Sequence, residues 1–170
     1  MKSISNTTMN HMMNDRHVTT MVQAALIAAV YAILTLIFAP ISYGPVQFRI
    51  SEALTILPYF TSAAIPGVTV GCLISNILIG SPLPDIVFGT LATLIGAVFS
   101  RMLKKYKYLV CVPPVLSNSL IIPWVLKFAY GAEDMVPFMM LTVGIGEVLA
   151  VGVLGNILLL ALERSRIFSK

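Results

Sequence analysis

The chain has 170 residues, of which 58% are hydrophobic and 11% charged, and its formal net charge is +4. Soluble globular chains carry about 25% charged residues. A mean hydropathy of +0.92 with so few charges therefore excludes an ordinary water-soluble domain. The basic residues fall in short segments between apolar runs, a pattern of topology signals rather than of a nucleic-acid-binding face.

In chain order, residues 1–18 are polar and read as a mobile cytoplasmic tail ahead of a single transmembrane domain over 19–165. The apolar run Met21–Ala39 is long for a signal-peptide core. It reads as a retained first span ending at Pro40, followed by turn chemistry over Ser42–Pro45. Arg49 and Glu52 open the next apolar stretch. A break is expected at Ala64–Gly67, because a proline disfavours helix in the residue before it. That break leaves a third span over 66–80, short for a full crossing. A fourth span is expected over 86–103, followed by the basic loop Lys104–Tyr108. The fifth covers 110–128 and carries Pro113, Pro114 and Pro123, and the sixth covers 137–162.

Charge parity tests this count. Six spans put Lys2, Arg16, Arg101, Lys104, Lys105, Lys107, Arg164, Arg166 and Lys170 on one side, leaving only Arg49 and Lys127 on the other. Five spans would move seven of these nine, those from Arg101 onward, to the outside. The positive-inside rule selects six. The expected fold is an all-α integral membrane protein of six transmembrane helices with both termini cytoplasmic.

No GxxxxGK[ST] phosphate loop and no HExxH occur, and His11 and His17 both lie in the polar tail. Cys72 and Cys111 lack metal-knuckle spacing and read as small buried hydrophobes. A binding or transport protein is expected rather than an enzyme, with no cofactor or metal. Arg49 and Glu52, three residues apart, share a helix face. They either pair to set helix orientation or line a polar cavity. Glu147 lies well inside the sixth span, where a carboxylate reads as a ligand or proton site. Asp85 either caps a helix or meets a ligand. Asn76 and Asn118 either bond between helices or read the edge of a nucleobase. Tyr43 suits an interfacial aromatic belt, whereas Tyr59 and Trp124 fit a belt or a stacking wall. Ala24, Ala25, Ala28 and Ala29 set small residues four apart, as do Gly67 and Gly71, which permits close helix contact.

Four blocks, Gln47–Leu54, Asp85–Gly96, Pro114–Asn118 and Val143–Glu147, together resemble the QueT family. Its members are substrate-binding S components of energy-coupling-factor (ECF) transporters. The resemblance runs over about 20–165. It implies uptake of queuosine precursors or related 7-deazaguanines across a bacterial cell membrane, by a six-helix S-component bundle. It also implies partners: a transmembrane coupling protein and two ATPase subunits, which would account for the missing phosphate loop. The alanine stripe resembles the docking motif for that coupling protein. The ligand-binding candidates are then Arg49, Glu52, Asn76, Asp85, Phe88, Asn118, Trp124 and Glu147. Glu147 or Glu52 would accept the paired donors of the base, with Arg49 balancing the charge of Glu52. Asn76 or Asn118 would answer its carbonyl, and Trp124 or Phe88 would stack on the ring. Asp85 or a glutamate would serve a cationic amine on the ligand. The alternative from another class is a stand-alone secondary transporter in which Glu147 or Glu52 carries a coupling proton.

Overall fold

The computed structural model describes residues 2–42 and 48–165, with side chains over 15–40 and 48–165. Six helical rods follow one another: α1 (Lys2–Ser42), a 3-10 helix (Ile50–Tyr59), α2 (Ala64–Leu78), α3 (Leu83–Met102), α4 (Val112–Ala129) and a final composite rod. The last rod joins α5 (Val136–Glu147), a π-helical segment (Val148–Gly155) and α6 (Asn156–Ser165) without a break. Tyr43, Gln47 and the turn expected through Pro45 lie outside the described residues. The backbone of α1 begins at Lys2, so the segment expected as a tail continues the first helix, and the helix runs two residues past Pro40.

The stretch expected as the second span is the main departure. It forms a ten-residue 3-10 helix rather than an α-helix, and every residue from Ser51 to Pro58 is buried. This rod touches α1, α2, α3, the π-helical segment and α6, so it is the axis around which the bundle packs. At roughly 2.0 Å per residue a 3-10 helix covers about 20 Å in ten residues, where an α-helix would cover about 15 Å. The chain break falls at 60–63, ahead of the expected Ala64–Gly67, and Pro66 sits in the first turn of α2, where its missing N–H costs no helical bond.

Four segments are long and apolar enough to cross a membrane: Asp15–Pro40, Leu83–Met102, Lys107–Ala129 and Val136–Ser165. The 3-10 helix and the fifteen-residue α2 are not. The outer surface is apolar, unlike that of a soluble protein, and a set of polar side chains is enclosed together with the hydrophobic core. Leu26, Ile33 and Ile37 on α1, Ile77 and Leu78 on α2, and Leu116 and Leu120 on α4 point outward. Ser51, Glu52, Thr55, Ser75, Asn76, Thr93, Ser117, Asn118 and Glu147 lie inside. An apolar exterior around enclosed polar groups is what a hydrocarbon solvent selects.

Neighbouring rods pack in sequence, α1 on α2, α2 on α3, α3 on α4 and α4 on α5. Small residues set the closest approaches. A Cβ on Gly71 would stand 2.7 Å from Tyr31 Cβ and 2.9 Å from the Ala28 carbonyl, and one on Gly67 would stand 3.0 Å from the Ala24 carbonyl. The alanine stripe therefore divides. Ala24 and Ala28 face α2 inside the bundle, whereas Ala25 and Ala29 remain exposed.

One end of the bundle is tied by charges. Arg101 Nη1 donates to the carbonyls of Pro58 (2.9 Å) and Tyr59 (3.3 Å), placing a cation at the C-terminus of the 3-10 helix. Lys107 pairs with Glu163, and the Tyr59 hydroxyl donates to the same carboxylate at 3.3 Å.

Gly71→Ala should lower the thermal stability of the detergent-solubilised protein, by about 1–3 kcal/mol, because the new methyl meets backbone. Gly152→Ala is the control, since its nearest contact would be Val148 Cγ1 at an ordinary 3.5 Å, and its melting temperature should stay level or rise.

Candidate functional site

The polar cluster lies within the bundle, away from Arg101, where the later parts of α1 and α2 meet the first turn of the 3-10 helix, the middle of α3, the first half of α4 and the end of α5. Alternating rod direction brings these together, and each contributes a polar side chain. Glu52, in the first turn of the 3-10 helix, is the centre. Tyr31 from α1 donates its hydroxyl to Glu52 Oε1. The Thr93 hydroxyl of α3 lies 3.4 Å from the same oxygen, 3.1 Å from the Gly89 carbonyl and 3.4 Å from Cys72 Sγ. Thr55 donates to the Glu52 carbonyl at 2.6 Å, and the hydroxyls of Thr35 and Ser51 bond at 2.8 Å.

Glu147, the last residue of α5 before the π-helical segment, comes to the same place. The Asn118 side chain of α4 interacts with both carboxylates. On the α2 side, the Asn76 amide donates to Cys72 Sγ at 3.6 Å, and both residues are buried. Gly89 of α3 lets Asp85 and Asn76 close in, since a Cβ there would lie 3.1 Å from Asp85 Oδ1 and 3.3 Å from Asn76 Nδ2. Three acceptors in this cluster are buried and have no hydrogen-bond partner among the described residues: Glu52 Oε2, Glu147 Oε2 and Asn76 Oδ1. Unpaired lone pairs at such depth are unfavourable, and in a native fold they call for an explanation.

A second group lies beside the first. Arg49 Nη2 stands 3.6 Å from Asp85 Oδ2, and Tyr130 at the end of α4 donates to that oxygen at 2.6 Å. Asp85 is thus neither a plain helix cap nor exposed. It sits at the third position of α3, where its side chain caps nothing, and it is 2% exposed. Arg49 pairs with Asp85 rather than with Glu52, because Glu52 points into the bundle towards Tyr31 and Thr93.

Six of the eight expected ligand residues therefore meet: Arg49, Glu52, Asn76, Asp85, Asn118 and Glu147. Phe88 and Trp124 do not. They are 50% and 49% exposed, on the outer face. There they line an apolar groove of about 360 Å³ with Pro84, Leu120, Ile121, Val125 and Phe128, and Trp124 stacks on Phe128 at 6.2 Å. Aromatic rings are as well solvated by lipid as by protein, so their burial was not dictated. Tyr59 takes no part in this cluster, its hydroxyl donating to Glu163 at the other end. Tyr31, Cys72, Thr93 and Tyr130 are site residues that sequence reasoning missed. Tyr31 carried a usable signal: a tyrosine in the middle of a span, away from the interfaces where tyrosines concentrate.

Several long apolar helices around a buried polar cluster define a multi-pass membrane protein. The comparisons specify the class. Residues 21–164 match the family model described as QueT transporter, so the chain belongs to the QueT transporter family, and it is a bacterial membrane protein. A protein of Lactococcus lactis subsp. cremoris (strain MG1363), named queuosine precursor transporter QueT, is 45% identical over 76 residues. That match spans 44% of this chain and 44% of the relative's length. No solved structure matches.

Tyr31→Phe removes the hydroxyl from Glu52 and should destabilise the protein by about 1–3 kcal/mol in thermal unfolding. Phe88→Ala, on the outer face, should leave the unfolding free energy within about 0.5 kcal/mol of the parent's.

Proposed function

We propose that this chain is the substrate-binding subunit of an ECF-type ATP-driven importer, taking up a queuosine precursor of the 7-deazaguanine type. The observation that carries the reading is the set of buried, unpartnered acceptors on Glu52, Glu147 and Asn76. A deazaguanine edge presents an N1–H beside an exocyclic amine, and one carboxylate accepts both in a bidentate pair. The Asn118 amide, between the two glutamates, is suited to the base carbonyl. Membership of the QueT transporter family and the likeness to the Lactococcus queuosine precursor transporter support transport of such a solute. In this reading ATP hydrolysis falls to two partner ATPases, reached through a transmembrane coupling protein, as the resemblance to S components implies; a chain without a phosphate loop of its own is compatible with that division.

In this reading all six rods count as crossings, the 3-10 helix and α2 being shielded from lipid in part by their longer neighbours. Arg101, Lys104, Lys105, Lys107 and Arg164 then share the cytoplasmic end with both termini. The ligand cluster faces the external half. Docking of the coupling protein falls to Ala25 and Ala29, since Ala24 and Ala28 are engaged with α2.

Calorimetric titration of the purified chain with 7-deazaguanines tests the ligand. Glu147→Gln should weaken binding roughly 5–150-fold, the equivalent of about 1–3 kcal/mol for donors left facing an amide. Normal binding by both Glu147→Gln and Glu52→Gln would refute carboxylate readout. Ala25→Leu with Ala29→Leu tests the partner: ligand affinity and melting temperature should hold while ATP-driven uptake and co-purification of the coupling protein are lost. Uptake by the chain alone in proteoliposomes, driven by a proton gradient, would instead favour a secondary transporter.

A further inference from the structure

The groove that takes Phe88 and Trp124 runs along the seam between the first two turns of α3 and the second half of α4. At about 360 Å³ it has the size of a small-molecule cleft, and all seven side chains that line it are apolar. Its walls are stiff. The Trp124 and Phe128 rings stack within 10° of parallel, and Pro84 stands in the first turn of α3. A hydrophilic solute finds no partner on such a surface, whereas an acyl chain does.

The rim of the groove is charged. Lys127 follows Trp124 by three residues and precedes Phe128, so it flanks the groove on the last turn of α4. Its ammonium donates to the carbonyls of Glu133 (3.3 Å) and Asp134 (3.4 Å), which draws the loop after Gly131 back towards the helix end. Two of its three donors are used in this way and one is left. The Glu133 and Asp134 side chains are exposed, and neither carboxylate has a hydrogen bond or ion pair among the described residues. One ammonium and two carboxylates therefore collect at the end of α4 that the groove reaches. A plain anion meets a net repulsion there. A headgroup with an ammonium beside its phosphate matches both signs, the phosphate accepting from Lys127 and the ammonium donating to the carboxylates.

We infer that the groove and its rim form a site for one phospholipid whose headgroup carries a primary ammonium, with an acyl chain lying along Trp124 and Phe128. This requires only that the chain lies in a bilayer, and it is independent of the solute proposed above. The site is separate from the buried polar cluster, because Phe88 and Trp124 face outward. With Lys104, Lys105 and Lys107 at the cytoplasmic end, the lipid belongs to the external leaflet.

Trp124 is the single tryptophan of the chain, so its fluorescence reports on this groove alone. The test is quenching of Trp124 by brominated acyl chains in bilayers that hold the purified full chain, comparing phosphatidylethanolamine, phosphatidylcholine and phosphatidylglycerol. The ethanolamine lipid should occupy the position beside Trp124 at least about fivefold more strongly than either of the others. Lys127→Gln should bring it to the choline level, as should Glu133→Gln combined with Asp134→Asn. Equal strength of the ethanolamine and choline lipids would overturn the site, leaving ordinary solvent lipid against an apolar face. A preference for the glycerol lipid would overturn it too, since an anion alone would then suffice. So would quenching by none of the three, which would mean that a protein surface, such as a second copy of this chain, covers the groove. The comparison of lipids on the parent protein decides the matter even where a variant fails to fold.

Discussion

A carboxylate enclosed by helices in an apolar solvent persists only if donors from several of those helices converge on it. Glu52 imposes that requirement, and much of the bundle answers it. Tyr31 must come from α1, Thr93 from α3 and Asn118 from α4, which fixes the rotation of three helices about the central rod. The rod itself is drawn thin. A 3-10 helix has a smaller radius than an α-helix and reaches further per residue, so five other segments can close around it. The tightest contacts between helices fall at glycine: Gly71 against Tyr31 and Ala28, and Gly96, whose Cβ position would lie 2.8 Å from Pro114 Cα.

Polar interior and apolar exterior have a division of labour along the same rod. Its first turn carries Glu52 among hydroxyls and amides. Its last turn offers two carbonyls to Arg101, beside the Lys107–Glu163 pair. The buried polar cluster and the basic end thus lie at the two termini of one short element, whose residues Ser51–Pro58 are all buried.

The polar residues of the site were legible in the sequence because an amide or carboxylate in an apolar run carries a penalty whatever the fold. That reasoning found Glu52, Asn76, Asp85, Asn118 and Glu147, and it says nothing about Phe88 or Trp124, which are content on either side of a helix. Tyr31 and Thr93 were passed over because hydroxyls are common in spans and bond to their own backbone, as Thr69 does to the Ile65 carbonyl. The charge pairing of Arg49 was misjudged for a geometric reason. Spacing of three places two residues on one face of a continuous helix, but Arg49 precedes the rod in extended conformation. Small-residue spacing marked α1 as a contact helix. It could not say which of two adjacent stripes met α2, since that depends on where Gly67 and Gly71 lie. The 3-10 geometry left no trace, because a segment buried on all sides has no amphipathic period to read.

The π-helical segment that follows Glu147 changes what the last rod can present. Each residue of an α-helix turns the chain by about 100°, and a wider π turn absorbs extra residues without extending the axis in proportion. Directions before and after Val148–Gly155 are therefore out of phase. Glu147 is aimed at the carboxylate cluster and Leu159 at the core beside Ile56 and Val110, as two separately set orientations. Loss of one residue from this segment would convert it towards an ordinary helix and swing one of the two faces into lipid. Length over these eight positions is consequently as constrained as identity, and a helical wheel drawn across them assigns the wrong faces.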